Sequence, residues 1–139
     1  MSSKLMDYFN KQSRLGTLST ASKDGMVNSA YFGSPYMVDE KTIIMGLTKN
    51  RTLFYLQENP NAVFMIMEPG KSISEWKGVR IYVKMTDCST TGEKLDQMKA
   101  KIATHAGEAA AKMIHAALTF EVQEIRPLAD FGQGWEKSI

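Results

Sequence analysis

Cysteine is almost absent from this chain. Cys88 stands alone, so one copy can form no disulfide and a stapled small-domain framework is excluded. Histidine is nearly as scarce. His105 and His115 lie ten residues apart on one expected helix, nearly three turns, too far to share an ion; with a single cysteine beside them, no metal site is expected. Charge of either sign is not in excess either. Seventeen basic residues face 15 acidic ones, and a net +2 creates no strong field for nucleic acid or an anionic membrane. No apolar run approaches the roughly 20 residues of a membrane-crossing helix. The opening residues Met1-Ser2-Ser3-Lys4-Leu5-Met6-Asp7-Tyr8-Phe9 lack the continuous apolar core of a signal peptide, which makes the cytoplasm the expected compartment. Also missing are a glycine-rich dinucleotide fingerprint, a P-loop, and a nucleophile elbow around Ser19, Ser22, Ser29 or Ser34. Cys88 has no histidine near it in sequence to activate it. Hydrolase and nucleotide-triphosphatase chemistries therefore have no motif to rest on.

What is present is an ordinary globular composition, 43% hydrophobic and 23% charged over 139 residues, which suits one domain spanning 1–139 with a core of its own. Ten methionines fall mostly inside apolar runs, as core filling or as a pliant wall around a flat ligand. The pattern predicts a short amphipathic helix over 3–12, a strand over 14–21, and a hairpin turn at Lys23-Asp24-Gly25. A long strand or bent pair follows over 26–38, with Gly33 and Pro35 at the bend. Residues 61–67 are a nearly unbroken apolar run, read as a buried strand. From 78 to 86, Val79, Ile81, Val83 and Met85 alternate with polar residues, the cleanest strand signal in the chain. Thr90-Thr91-Gly92-Glu93 has the form of a capping box, opening a helix to His115 with Leu95, Met98, Ile102, Ala106, Ala109 and Met113 on one stripe. A last strand runs through Leu118, Phe120 and Val122. About six strands with two or three helices predict a mainly β, α+β domain: an antiparallel barrel or sheet with peripheral helices.

The segment from Ile43 to Pro60 organises the rest. Ile43-Ile44-Met45-Gly46-Leu47 reads as a buried strand, and a helix beginning near Leu53 stops at Asn59-Pro60. Between them, Thr48-Lys49-Asn50-Arg51-Thr52 gathers two hydroxyls, an amide and two cations where free N–H groups and the positive helix end converge. That is a site for a dianion such as phosphate. An ordinary capped helix with solvated basic residues accounts for the same residues.

Taken together, Met26-Val27-Asn28-Ser29 after an Asp-Gly turn, a strand ending in Gly46-Leu47-Thr48-Lys49-Asn50-Arg51-Thr52, and a helix closing in Glu58-Asn59-Pro60-Asn61-Ala62-Val63 resemble the split-barrel flavoproteins related to pyridoxamine 5′-phosphate oxidase. Within them the chain is nearest in kind to the small bacterial FMN-binding proteins. The resemblance covers roughly 15–84 and rests on the order and spacing of these stretches. It implies a six-stranded antiparallel split β-barrel with flanking helices, paired as a homodimer with FMN across the interface. It further implies that Thr48, Lys49, Arg51 and Thr52 hold the phosphate. Asn28, Ser29 and Ala30 would offer backbone groups to the ring, and Met45, Gly46 and Leu47 would line the ribityl chain and ring edge. The division of labour is physically sensible: phosphate needs charged and hydroxyl donors, the ring a dry wall.

Two departures separate the chain from the oxidase itself. The second strand, Asn28-Ser29-Ala30-Tyr31-Phe32-Gly33, carries no base, and the tail around Asp130, Phe131 and Trp135 is acidic and aromatic. Oxidation of pyridoxamine phosphate is therefore not the expected activity. The expectation is electron transfer or reduction of a small substrate by bound FMN, against a ligand-binding module without turnover or a dimeric scaffold that has lost its flavin. Trp135, spaced by Gly132 and Gly134, is expected to dock either on its own barrel or over the flavin of a partner subunit.

Overall fold

A computed structural model describes residues 3–11 and 15–139; Gln12 and Arg14, the expected ends of the first helix and first strand, lie outside the described residues, as do Met1 and Ser2. Helix α1, Lys4–Phe9, is capped by the Ser3 hydroxyl, which accepts the Met6 N–H at 3.2 Å. Seven strands follow: β1 Leu15–Ala21, β2 Val27–Tyr31, β3 Tyr36–Asp39, β4 Thr42–Leu47, β5 Asn61–Glu68, β6 Lys77–Ser89 and β7 Ala116–Pro127. Helix α2, Arg51–Glu58, joins β4 to β5; α3, Glu93–Ala106, and α4, Glu108–Met113, lie between β6 and β7. All strand pairings are antiparallel, in the order β2-β1-β5-β6-β7-β4-β3.

The seventh strand corrects the expected count of six. Residues 26–38 divide at Gly33-Ser34-Pro35, and the halves end on opposite edges of the sheet, β2 at one and β3 at the other. A single core nonetheless draws Leu18 from β1, Met37 from β3, Ile43 from β4, Phe64 from β5, Ile81 from β6 and Phe120 from β7. The sheet therefore curls around one interior, the split barrel. Phe9, Phe64 and Phe120 stack edge to face through it, with ring centroids 5.8 and 5.3 Å apart.

A second, smaller core lies outside the barrel, where Leu95, Met98 and Ile102 of α3 meet Ala111 and Ala117. It departs from the predicted helix in two ways. The helix is not continuous to His115, because Gly107 at φ +94° ends α3 and starts α4; Met113 is exposed rather than on the stripe. Nor does Thr90 act as a capping-box residue. The helix begins at Glu93 behind Gly92, at φ +92°, with no side-chain cap.

Candidate functional site: a donor cradle and its adjoining cavity

The β1–β2 hairpin turns as its sequence requires, with Gly25 at φ +84° and the Ser22 hydroxyl accepting the N–H groups of Asp24 and Met26. The turn sets β2 at the sheet edge, paired only with β1. Its register decides which backbone groups are free. The N–H of Phe32 bonds the Gly16 carbonyl and that of Ser22 bonds the Met26 carbonyl, so the alternation gives the backbones of Ala30 and Asn28 to β1. The N–H and C=O of Ser29 face the open edge instead.

Asn28 crosses from that strand to α2: its Nδ2 donates to Thr52 Oγ1 at 3.2 Å. Asn50, the N-cap of α2, accepts the Leu53 N–H at 2.9 Å and donates from Nδ2 to Thr48 Oγ1 at 3.2 Å. Both threonine oxygens are thus acceptors for an amide, and each hydroxyl proton is left to donate elsewhere. Thr52 is almost wholly buried. Because Asn50 caps Leu53, the helix supplies no acceptor for the N–H groups of Arg51 and Thr52. Lys49 and Arg51 are exposed, and among the described residues neither makes an ion pair. The result is a cradle of donors with no carboxylate in it. Such a set fits a phosphate group. Across the β1–β2 pair from Asn28, the buried Thr20 hydroxyl has no partner among the described residues.

A cavity of about 570 Å³ opens beside the cradle, reached by Thr48 and Asn50. Its walls are the connection from β2 to β3, the end of β4 and the inner face of α3. Gly46 makes this packing feasible: a Cβ there would lie 2.8 Å from Ile102 Cδ1 and 3.0 Å from Met98 Cγ. Leu47 borders the cavity too, whereas Met45 does not. Alternation along β4 turns Met45 wholly into the barrel core, and its side chain is removed from the expected site for that reason.

Trp135 lies elsewhere, half-buried against the barrel's own core in a short 3₁₀ turn, Trp135–Lys137. The tail beyond is pinned there: the Gly78 N–H donates to the Ser138 carbonyl at 2.7 Å, and the Leu128 N–H to Ser138 Oγ at 3.1 Å. His105 borders the cavity, while the N–H of His115 bonds the Leu47 carbonyl, so the histidines have separate surroundings. Burial, reinforced by Asp87, pushes the Cys88 thiol above its ordinary range, the opposite of an activated nucleophile. Sequence reasoning did not pick out Tyr36 and Lys101, and it counted Asn50 in the helix-start stretch without seeing its part as the cap that orients Thr48. Only Asn50 carried a local signal, its suitability as an N-cap.

The fold is that of an antiparallel split-barrel protein, with a cradle of hydrogen-bond donors at the start of α2. The chain matches the pyridoxamine 5′-phosphate oxidase family over residues 3–129 and belongs to that family. It is similar in structure to an FMN-binding protein from Syntrophomonas wolfei subsp. wolfei, with 24% identity over 92% of this chain and 86% of the other and a TM-score of 0.79. HupZ of Group A Streptococcus is 19% identical over 92% of this chain and 94% of its own, with a TM-score of 0.73. The heme storage protein HutZ of Vibrio cholerae is 17% identical over 84% and 87%, with a TM-score of 0.64. At these identities the likenesses establish a shared fold. No curated protein matches the chain.

Proposed function

We propose that the protein binds FMN and uses it for electron transfer or for reduction of a small substrate. The observation that carries this reading is the pair of amide-to-threonine bonds, Asn28 to Thr52 and Asn50 to Thr48, which leave both threonine hydroxyls free to donate at the start of the helix that Lys49 and Arg51 flank. Thr48, Lys49, Arg51 and Thr52 hold the phosphate. The ring runs along the open edge of β2, where the Ser29 backbone is unpaired, with Asn28 and Ala30 positioning that strand and Gly46 and Leu47 at the ring's border. Bound there, FMN would supply the redox chemistry; the protein supplies donors, orientation and a dry wall.

The functional unit is a homodimer in the cytoplasm. The outer face of β1, β2 and β5 supports the pairing: Leu15, Val27 and Tyr31 are exposed there, with Val63, Met65 and Met67 beside them in register. An apolar sheet face of this kind is a surface for a second copy. The strand Asn28-Ser29-Ala30 still lacks the bases that would hold a phosphorylated substrate, so pyridoxamine phosphate is not the substrate proposed. The test is the visible absorbance of the purified protein, followed by titration of the flavin-free form with FMN. A flavin spectrum and saturable FMN binding are expected. A haem or deazaflavin spectrum in its place, or no FMN binding, overturns the reading; bleaching by NADH or NADPH separates turnover from mere binding.

A further inference from the structure

Across the cavity from the cradle, Lys101 Nζ lies 3.4 Å from the centroid of the Tyr36 ring. The contact joins α3 to the first residue of β3. Lys101 is the sole formal charge lining the cavity among the described residues, and no carboxylate is there to pair with it. The rest of the lining mixes apolar side chains, Phe32, Leu47, Met98 and Ile102 among them, with neutral polar ones such as Ser34, Asn50 and His105, none of them an anion. Burial draws the Lys101 ammonium below the ordinary lysine range, as expected of a cation whose neighbour is a ring face rather than an anion. The lysine also borders a second cavity of about 270 Å³, next to Ile44, Gln97 and Thr119, so its chain has room to swing off the ring.

We propose that Lys101 and Tyr36 are a selectivity pair that admits planar aromatic anions of the carboxylate or sulfonate class. A flat ligand takes the Tyr36 face that the ammonium now covers, and its anionic group takes the ammonium. The exchange is balanced for an anion. For a neutral ring it is not, because the cation–π contact is lost and no anion replaces it as the partner of the ammonium. Discrimination therefore comes from a penalty on the wrong ligand as much as from attraction to the right one. The ligand is a second molecule beside the cradle, and the inference does not depend on flavin occupying the phosphate site.

Two fluorescent probes test it on the full chain: 8-anilinonaphthalene-1-sulfonate, an anion with a flat naphthalene ring, and N-phenyl-1-naphthylamine, its neutral analogue. Lys101→Met is expected to weaken the sulfonate by about tenfold, the loss of one charge-assisted contact, while tightening the neutral probe. Tyr36→Leu removes the shared platform and weakens both. Excess FMN leaves sulfonate binding in place. The proposal fails if Lys101→Met moves both probes in the same direction or neither, or if FMN displaces the sulfonate completely, which would make the flavin the cavity's occupant. A chain that binds these probes and takes up no FMN would sink the flavin reading alone.

Discussion

Asn28 and Thr52 are 24 residues apart, yet one hydrogen bond of 3.2 Å between their side chains ties the edge strand β2 to the first turn of α2. Thr52 is almost fully buried, so Asn28→Ala takes a hydrogen-bond donor from an oxygen that has little solvent to replace it. A loss of about 1–3 kcal/mol in unfolding free energy is expected by urea denaturation. Asn28→Asp separates structure from binding: the carboxylate accepts the Thr52 hydroxyl, taking the proton meant for phosphate and adding a negative charge to the cradle. Stability should fall less than in the alanine variant, and FMN affinity more than tenfold, on the order of one charged hydrogen bond. Equal FMN affinity in Asn28→Asp and the parent would remove Asn28 from the site.

Arg51→Ala tests the phosphate grip from the exposed side. Each charge-assisted bond to phosphate contributes roughly 1.5–3 kcal/mol, so FMN should weaken by about ten- to a hundredfold. Riboflavin, lacking the phosphate, should bind the variant and the parent alike. Calorimetric titration with both compounds distinguishes the cases, and parallel losses would place Arg51 away from the phosphate.

How far the sequence foretold this arrangement depends on the range of the interaction concerned. Val79, Ile81 and Val83 announced their strand because alternation is local, and Asp24-Gly25 announced a hairpin because the turn chemistry is contained in adjacent residues. The helix start within Thr48 to Thr52 was legible for the same reason, a helix start being a local event. Met45 and Leu47 share a phase and a core, and only Leu47, the last residue of β4, also borders the cavity; position along the strand separates them, which alternation does not show. The break at Gly107 was hidden by an apolar stripe that continued in phase past it. Tyr36 and Lys101 could not be paired from sequence at all, since only the curl of the sheet and the seat of α3 on Gly46 bring them together.

That seat is itself testable. Gly46→Ala puts a Cβ within 2.8 Å of Ile102 Cδ1, a contact that must shift. Overpacking of this kind costs about 1–3 kcal/mol. Ile102→Ala removes the nearest of three contacts and leaves Met98 Cγ at 3.0 Å and Ile114 Cγ2 at 3.2 Å, so thermal unfolding of the double variant should show the Gly46→Ala penalty reduced but not abolished. A penalty of the same size in both backgrounds would mean that Gly46 is required for some other reason.

Pairing of two copies through the outer face of β1, β2 and β5 predicts a two-fold interface above about 2,000 Å² of total buried area. Tyr31→Glu and Val27→Glu place charges on that face and should give monomers by light scattering, with FMN binding weakened in the same samples. A parent protein that is monomeric at micromolar concentration excludes both the dimer and a flavin shared across it.

The tail offers the sharpest separation of packing from binding. Trp135 rests on the barrel's own core, Ser138 accepts the Gly78 N–H at 2.7 Å, and Asp130 pairs with Arg80 at 2.8 Å and Arg126 at 2.9 Å. Arg80, and then Arg126, hold the Asp130 carboxyl below the usual carboxylate range. A depressed carboxyl contributes fully above its unfolded value of about 3.9 and loses that contribution as pH falls through the folded value. The protection factor of the Gly78 amide, its exchange rate corrected for intrinsic base catalysis, should therefore stay constant from about pH 8 to 5 and fall only in acid. Deleting residues 130–139 removes the Gly78 acceptor and bares the core beneath Trp135, which should lower stability by at least about 1–3 kcal/mol. FMN affinity and flavin fluorescence should be unchanged, because Trp135 rests on its own barrel core. If truncation instead raises flavin fluorescence and weakens FMN binding while stability holds, Trp135 reaches the flavin of the partner subunit, and the tail is part of the site.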